Sequence, residues 1–151
     1  MGDWLCYTDG ACKAAHGGAG GWGFHLRPPS GPPIEGWGKA VATQAKVMEY
    51  RAVAEALERV PEDASVTVFS DNQSLVENLA KKLPGWRVAS FAKVDPVIAD
   101  EVRRIDRILE DKRLIVRWQW VRGHGENAGN ERADQLAAQG AREAKADVKR
   151  G

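Results

Sequence analysis

The chain has 151 residues, of which 43% are hydrophobic and 28% are charged, and its formal net charge is +1. These values exclude a disordered chain and predict one domain, residues 1–151, that buries its own core. No apolar run reaches the roughly 20 residues of a membrane helix, and the start lacks a signal peptide, so we expect a cytoplasmic protein with no membrane partner.

Two features of the composition narrow the chemistry further. Because the net charge is close to zero, any surface for nucleic acid has to come from local clusters of basic residues. The two cysteines, Cys6 and Cys12, belong to no disulfide or zinc motif, and we interpret them as reduced thiols.

Three strands are predicted in the first third of the chain, at residues 3–9, 22–26 and 34–41. A cluster of prolines and glycines at 28–33 forbids regular structure between the second and the third strand. Since the connections are short, the three strands are expected to form an antiparallel meander.

The period of the apolar residues then changes from that of a strand to that of a helix. From Thr43, which we interpret as the helix N-cap, apolar residues recur at helical spacing as far as Leu57, and Pro61 ends the helix. Residues 65–70 form the next strand. A strand that follows such a helix is expected to cross over with a right hand and to lie parallel to an earlier strand.

The next helix is predicted to pass through Leu75 and Leu79 and to be broken by the basic, aromatic segment 81–87. A further helical pattern covers residues 94–109. Its apolar residues are expected to share one buried face: Val97, Ile98, Val102, Ile105 and Leu109.

A strand, a loop and a helix are predicted to complete the chain. Residues 114–121 form the strand, and residues 122–129 form a polar, glycine-rich loop. The last helix is expected to begin at about Asn130, and the charged residues 145–151 are expected to fray.

Two of these strands end in an aspartate, which is the strongest functional signal in the sequence. The apolar run from Leu5 ends at Asp9, and the run from Val66 ends at Asp71. If the two strands are parallel neighbours, both carboxylates lie at the sheet edge where open α/β sheets bind ligands. Glu49 and Asp134 lie near the starts of helices.

Four clustered carboxylates repel one another unless a cation lies between them. Magnesium prefers hard oxygen ligands, and two such ions about 3.5–4 Å apart can activate a water and stabilise the leaving oxygen of a phosphodiester. The four acids are therefore a candidate metal site. Because the chain has 21 acidic residues, spacing alone leaves open the alternative that they are solvated surface groups.

Five short segments resemble the type 1 ribonuclease H family, in the family's order and at its approximate spacings. They are Tyr7-Thr8-Asp9-Gly10, Met48-Glu49, Ser70-Asp71-Asn72-Gln73, Trp120-Val121-Arg122-Gly123-His124 and Asn130-Glu131-Arg132-Ala133-Asp134. The resemblance implies an α/β (α+β) fold, with a mixed five-stranded sheet of three antiparallel and then two parallel strands, flanked by helices. It also implies an endonuclease that cleaves the RNA strand of RNA–DNA hybrids with Mg²⁺ or Mn²⁺, leaving 5′-phosphate and 3′-hydroxyl ends.

The same resemblance assigns roles to individual residues. Four acids become the metal ligands: Asp9, Glu49, Asp71 and Asp134. Glu49 is also expected to orient the adjacent ribose 2′-hydroxyl, and His124 to assist proton transfer or product release, because a histidine titrates near neutrality. His16 and His25 have no such context, and we interpret them as surface residues.

Substrate contacts are expected from four groups. Choosing RNA over DNA requires contact with the 2′-hydroxyl, and the amides of Asn72 and Gln73 can reach the minor groove. Backbone groups from Gly10 to Lys13 are expected at the sugar edge, and Thr43 in a phosphate pocket. The remaining group resembles the family's basic protrusion, which grips the DNA strand: Lys81, Lys82, Trp86, Arg87 and Lys93.

Two of these groups also have a structural interpretation. Asn72 also suits a helix cap, and the segment 81–87 also suits a solvated surface loop anchored by Trp86. Two rival functions remain as well, a hybrid-binding module without catalysis and a nuclease of the same fold that cuts DNA.

The chain departs from the family pattern at two places. Residues 15–18 replace a Gly-Asn-Pro-Gly sequence, and residues 44–47 replace Thr-Asn-Asn-Arg. Since those asparagines read the minor groove in the family, we expect altered substrate affinity here. Lys46 is expected to supply a phosphate contact instead, and the chain is expected to be a monomer.

Overall fold

The computed structural model describes residues 2–12, 14, 17–123 and 127–150. Its single sheet has five strands: β1 (Trp4–Cys12), β2 (Gly18–Arg27), β3 (Ile34–Thr43), β4 (Ser65–Ser70) and β5 (Ile115–Trp120). The strands lie in the order β3-β2-β1-β4-β5. β1, β2 and β3 pair antiparallel, whereas β4 pairs parallel with both β1 and β5. The predicted mixed sheet is therefore confirmed.

Five α-helices and one π-helical segment surround this sheet. They are α1 (Ala45–Leu57), α2 (Gln73–Glu77), the π-helical segment (Asn78–Lys82), α3 (Leu83–Val88), α4 (Ala99–Asp111) and α5 (Ala128–Arg150). Within the described ranges, each helix is too short or too polar to cross a membrane.

The larger core lies between one face of the sheet and the helices α1 and α4. Alternate residues of β1, β2 and β4 point into it, and they meet the apolar stripes of the two helices: Cys6, Phe24, Leu26, Val66, Val68, Val53, Leu57, Val102 and Ile105. Full burial stabilises the fold by roughly 1.5–3 kcal/mol for each large apolar side chain. This core fixes the positions of the strand ends.

The other face of the sheet is covered by α5, which packs closely because the facing residues are small. A Cβ atom at Gly23 would lie only 2.6 Å from the backbone nitrogen of Ala137. Ala133 and Ala137 are fully buried in this contact. The first turns of α5 are thereby held against β1 and β2, and Asp134 lies in these turns.

The segment 81–87 continues the helical chain, so the predicted break there is wrong. The chain runs from α2 through the π-helical segment directly into α3. Pro84 lies in the first turn of α3, where its missing N–H loses no intrahelical hydrogen bond. The sequence pattern fails here because a proline signals either a break or a new start.

Three smaller predictions need correction. Thr43 is the last residue of β3, and the N-cap of α1 is Gln44, whose side chain makes no capping hydrogen bond. Val97 is 40% exposed and does not share the buried face of α4. His25 is buried rather than exposed, and its Nδ1 lies 2.7 Å from Glu35 Oε2 on the neighbouring strand.

The last helix is longer than predicted at its start. It begins at Ala128, two residues before the predicted Asn130, and continues through Arg150. Asn127 explains the earlier start, since its Oδ1 accepts hydrogen bonds from the backbone N–H groups of Gly129 and Asn130. Both cysteines are free thiols, as predicted.

Candidate active site

The parallel pairing of β1 and β4 brings two aspartates to one edge of the sheet. Tyr7 of β1 pairs with Phe69 of β4, and Asp9 and Asp71 each lie two residues further along the chain. The hydroxyl of Thr8 donates to the carbonyl oxygen of Phe69 at 3.3 Å and ties the two strands together near their ends. The predicted convergence of the strand-end acids therefore follows from the register of the sheet.

Glu49 joins these aspartates because α1 packs tightly against the end of β1. A Cβ atom at Gly10 would lie 2.6 Å from the carbonyl carbon of Met48 and 2.8 Å from the Cα atom of Glu49. Only glycine permits this approach. The absence of a side chain at Gly10 therefore allows the helix that carries Glu49 to lie against the end of β1.

The described carboxylates of Asp9, Glu49 and Asp71 form a compact triad. One oxygen from each lies within 4.8 Å of the others, and Asp9 is the most buried of the three. Asp134, which is exposed at the start of α5, makes a side-chain hydrogen bond to Asp9. The four acids predicted as a set are therefore close in space.

This crowding raises the proton affinity of the buried acids. Burial, the charge of Asp71 and the hydrogen bond with Asp134 raise the pKa of Asp9 to about 9. Burial, with a smaller contribution from Asp71, raises the pKa of Glu49 to about 7, although a hydrogen bond from Asn72 opposes the shift. A divalent cation offsets both the cost of burying charged carboxylates and the repulsion between them. A set of ligands made up of oxygen atoms alone fits Mg²⁺ or Mn²⁺.

Asn72 has two contacts at this site. Its Oδ1 accepts a hydrogen bond from the backbone N–H of Leu75 at 3.1 Å and caps α2, in agreement with the structural interpretation. Its Nδ2 donates to Glu49 Oε2. The contact with Glu49 was not expected from the sequence, because the two residues are 23 positions apart and no local pattern links them.

The chain after β5 passes directly over Asp71. Trp120 Nε1 donates to the backbone oxygen of Asp71 at 3.2 Å, and a Cβ atom at Gly123 would lie 3.2 Å from Asp71 Oδ2. The next residue is His124, which lies outside the described residues, as does Lys13. The described residues that follow β5, as far as Gly123, therefore lie beside the acids.

Residues 81–87 of the expected basic protrusion are helical, and they differ in their contacts. Lys81 and Lys82 are exposed, while Trp86 is half-buried and packs against the core. Arg87 donates to Asp106 Oδ1 from both Nε and Nη2, at 2.8 and 2.6 Å. Its main contact in the structure is thus with α4.

A depression of about 230 Å³ lies beside Glu49, between α1, α2 and α3. Lys46, Asn72, Lys82 and Trp86 line part of it. Lys46 Nζ lies 2.6 Å from Asp95 Oδ2, so a phosphate contact by Lys46 has to compete with this ion pair. Charge and polar groups that suit a strand of nucleic acid thus border the acid cluster.

The other two predicted contact residues lie apart from each other. Thr43, at the end of β3, accepts a hydrogen bond from the Cys12 thiol through its backbone oxygen. Gln73 is exposed at the start of α2, where its Nε2 donates to Glu77 at 3.3 Å.

Comparison with known proteins agrees with this architecture. The family model described as RNase H matches residues 2–142. The ribonuclease H of Polaromonas naphthalenivorans is 39% identical over 141 residues, which cover 90% of this chain and 85% of that protein. The ribonuclease H of Methylorubrum extorquens is 37% identical over 142 residues, and the match covers 93% of this chain but only 60% of that longer protein.

A solved structure shows the same fold. The crystal structure of LC11-RNase H1 in complex with an RNA/DNA hybrid matches 95% of this chain and 99% of that chain, with a TM-score of 0.74 and 21% identity. The family match spans nearly all of the sequence, and two relatives exceed one-third identity over nine-tenths of the chain. The chain therefore belongs to the RNase H family of nucleases.

Proposed function

We propose that this chain is an endoribonuclease that hydrolyses the RNA strand of RNA–DNA hybrids, with two divalent metal ions held by Asp9, Glu49, Asp71 and Asp134. One observation carries the proposal: three carboxylates approach within 4.8 Å of one another at the carboxyl edge of β1 and β4. The hydrogen bond between Asp134 and Asp9 adds the fourth acid.

The chemistry of these donors supports a metal site. Four clustered carboxylates repel one another, whereas hard divalent cations prefer this set of ligands. When bound, Mg²⁺ or Mn²⁺ supplies an activated water and positive charge at the phosphate.

The residues of the chain have distinct tasks in this proposal. While no cation is present, the raised pKa values favour a proton on Asp9 at neutral pH and partial protonation of Glu49, so metal binding has to release protons from this pair. Asn72 holds the Glu49 carboxylate through its Nδ2 group and leaves the other Glu49 oxygen for a metal or for the ribose 2′-hydroxyl. His124 takes and returns a proton at the edge of the site.

The substrate assignment rests on family membership and on the groups that border the acids. LC11-RNase H1 was solved with an RNA/DNA hybrid. In this chain, Gly10, Lys13, Asn72 and Gln73 contact the RNA strand near the cleavage site, and Thr43 binds a phosphate. The DNA strand lies along the basic and aromatic residues of the π-helical segment and α3: Lys81, Lys82, Trp86 and Arg87. Products carry 5′-phosphate and 3′-hydroxyl ends.

We also propose that the protein acts as a cytoplasmic monomer. None of the helices among the described residues is long and apolar enough to cross a membrane, which is compatible with a cytoplasmic location. Light scattering of the purified protein during gel filtration measures the oligomeric state, and a dimer mass contradicts a monomer.

A cleavage assay with three substrates tests the function. End-labelled RNA–DNA hybrid, duplex DNA and duplex RNA are incubated with the protein in Mg²⁺, in Mn²⁺ and in a chelator. We expect cleavage of the RNA strand of the hybrid alone, and only with metal present. Cleavage of duplex DNA favours the DNA-cutting rival, and binding of the hybrid without cleavage favours the non-catalytic module.

A further inference from the structure

We propose that Phe91, Arg103 and Arg107 form an accessory contact for single-stranded nucleic acid outside the catalytic cleft. This inference rests on the proposed function, because it takes the bound strand to be a tail that continues from the hybrid. The contact lies in a depression of about 690 Å³ between the end of α3 and the outer face of α4.

This depression is separate from the acid cluster and lies further along α4. Lys46, beside the acids, meets Asp95 just before α4 begins. Arg87, at the end of α3, instead meets Asp106 and Glu110, in the second half of α4. The residues that line this depression and those that line the depression beside Glu49 are all different.

Two of the three arginines that line the depression take no part in its ion pairs. Arg87 neutralises the buried Asp106 and contacts Glu110. Arg103 and Arg107 are exposed, one helical turn apart, and neither forms an ion pair with any residue in the described parts of the chain. Two guanidinium groups at this spacing suit successive phosphates of one strand.

Phe91 is partly buried against the core and adds an aromatic ring whose position the backbone holds. Ser90 and Phe91 both have left-handed backbone conformations, with φ angles of 53° and 64°, which side chains of this size rarely adopt. The N–H of Phe91 donates to the backbone oxygen of Trp86 at 2.8 Å, and the ring lies 5.8 Å from Arg103 Cζ. Such backbone strain often marks a functional surface.

An aromatic ring beside two unpaired arginines fits a single strand better than a duplex. Unpaired bases expose faces that stack on aromatic rings, while the phosphates meet the basic groups. A base-paired strand offers only phosphates. Asp100 also lines the depression and opposes an anion, so its removal should strengthen the contact.

Binding of tailed and blunt hybrids tests the proposal in a chelator, where cleavage does not compete. The probe is a fluorescent hybrid with or without a DNA tail of about ten nucleotides, placed at either end. The double variant Arg103→Gln/Arg107→Gln should bind the tailed hybrid about tenfold more weakly, with the slope of log K against log salt reduced by about 1.4. Its affinity for the blunt hybrid should be unchanged.

Three further variants separate a built contact from bulk charge and from folding. Arg59→Gln/Arg142→Gln removes two exposed arginines elsewhere and should leave tail binding at the parent level. Phe91→Leu should lower tail affinity severalfold without changing the salt slope, because it removes stacking and no phosphate contact. Asp100→Asn should raise tail affinity. Thermal unfolding checks that each variant is folded.

Two outcomes overturn the proposal. One is equal loss of tail binding in both double-arginine variants, and the other is a tail that adds no affinity to the parent protein. Failure of the proposed function looks different, since it appears as an uncleaved hybrid in metal whatever the tail does.

Discussion

Acids at the two ends of the parallel strands have opposite surroundings. At the carboxyl end, Asp9 and Glu49 lie among other carboxylates, and the pKa of each is raised. At the amino end, Asp63 precedes β4 and accepts two hydrogen bonds from Arg113, which lowers its pKa. At the amino end, the chain itself provides the cation, Arg113, that favours the charged form of Asp63. This difference indicates that the acids at the other end are arranged for an external cation.

The largest effect on activity is expected when one acid is removed from the carboxyl end of the strands. Asp71→Asn keeps the shape of the side chain but removes a metal-binding charge. Cleavage of the hybrid should fall by at least about a hundredfold, the usual loss for a key electrostatic group. Initial rates in saturating Mg²⁺ measure the effect.

The matched control is the same change at the other end. Asp63→Asn should cleave at the parent rate, because Asp63 lies at the opposite end of β4, where its carboxylate accepts hydrogen bonds from Arg113. If Asp71→Asn retains the parent rate, or if Asp63→Asn loses as much activity, the two ends do not differ in function.

A second prediction concerns the loop that begins over Asp71. His124→Ala should reduce turnover by about 10- to 100-fold, the range expected for loss of a proton-transfer group. We expect kcat to change more than KM. The dependence of kcat on pH near neutrality should also change. Turnover close to that of the parent assigns His124 a structural role.

A third prediction separates the two contacts of Asn72. Asn72→Asp keeps an N-cap for α2 but places another carboxylate against Glu49, whereas Asn72→Ala removes both contacts. The Asp variant should keep its thermal stability in Mg²⁺ and lose about tenfold in activity. The Ala variant should also lose about 1 kcal/mol of stability, the usual value of a cap. Equal activity in the Asp variant and the parent would show that the contact with Glu49 is dispensable.

The sequence predicted the sheet edge that carries the acids better than it predicted the ends of single elements. Asp9 and Asp71 lie at the expected edge, but β1 does not end at Asp9 as predicted, since it continues to Cys12. Thr43 was mistaken for a cap because threonine suits both a strand end and an N-cap. Pro84 was mistaken for a break because proline is equally suited to the first turn of a helix.

Contacts between distant segments were beyond the reach of pattern reasoning. The hydrogen bond from Asn72 to Glu49 depends on how α1 and α2 meet across the sheet edge. The burial of His25 depends on a cross-strand partner, Glu35, that no periodicity reveals. Family resemblance identified the acids, while only coordinates supplied the groups that hold them.

A fourth prediction uses pH to compare the two ends without any substrate. In the metal-free protein, Asp9 holds a proton from its ordinary pKa of 3.8 up to about 9, so the folded state binds more protons than the unfolded chain in this range. Rising pH therefore favours unfolding. Asp9→Asn removes this penalty and should raise the stability at pH 8 by at least about 1.4 kcal/mol, the equivalent of one pKa unit.

Thermal unfolding of the metal-free proteins across pH measures this effect. Adding Mg²⁺ should reverse the order, because the parent gains stability from the bound ion and the Asn variant gains less. A parent protein whose stability is flat between pH 5 and pH 8, or one that Mg²⁺ does not stabilise, contradicts a crowded site built for cations.

The smallest expected effect has the opposite sign and comes from Asp63. Because Arg113 lowers the pKa of Asp63, this ion pair stabilises the fold above the ordinary value of 3.8, and the contribution is lost as the pH falls through the lowered pKa. Asp63→Asn should therefore unfold slightly more easily than the parent at pH 7, and the gap should close in acid. Both partners are well exposed, so solvent and salt screen the pair, and the difference should shrink further at high ionic strength. Since asparagine also tolerates the left-handed backbone at this position, the charge is the main change. A gap that widens in acid would mean that Asp63, like the acids at the other end, is destabilised by its charge, and the contrast between the two ends would be lost.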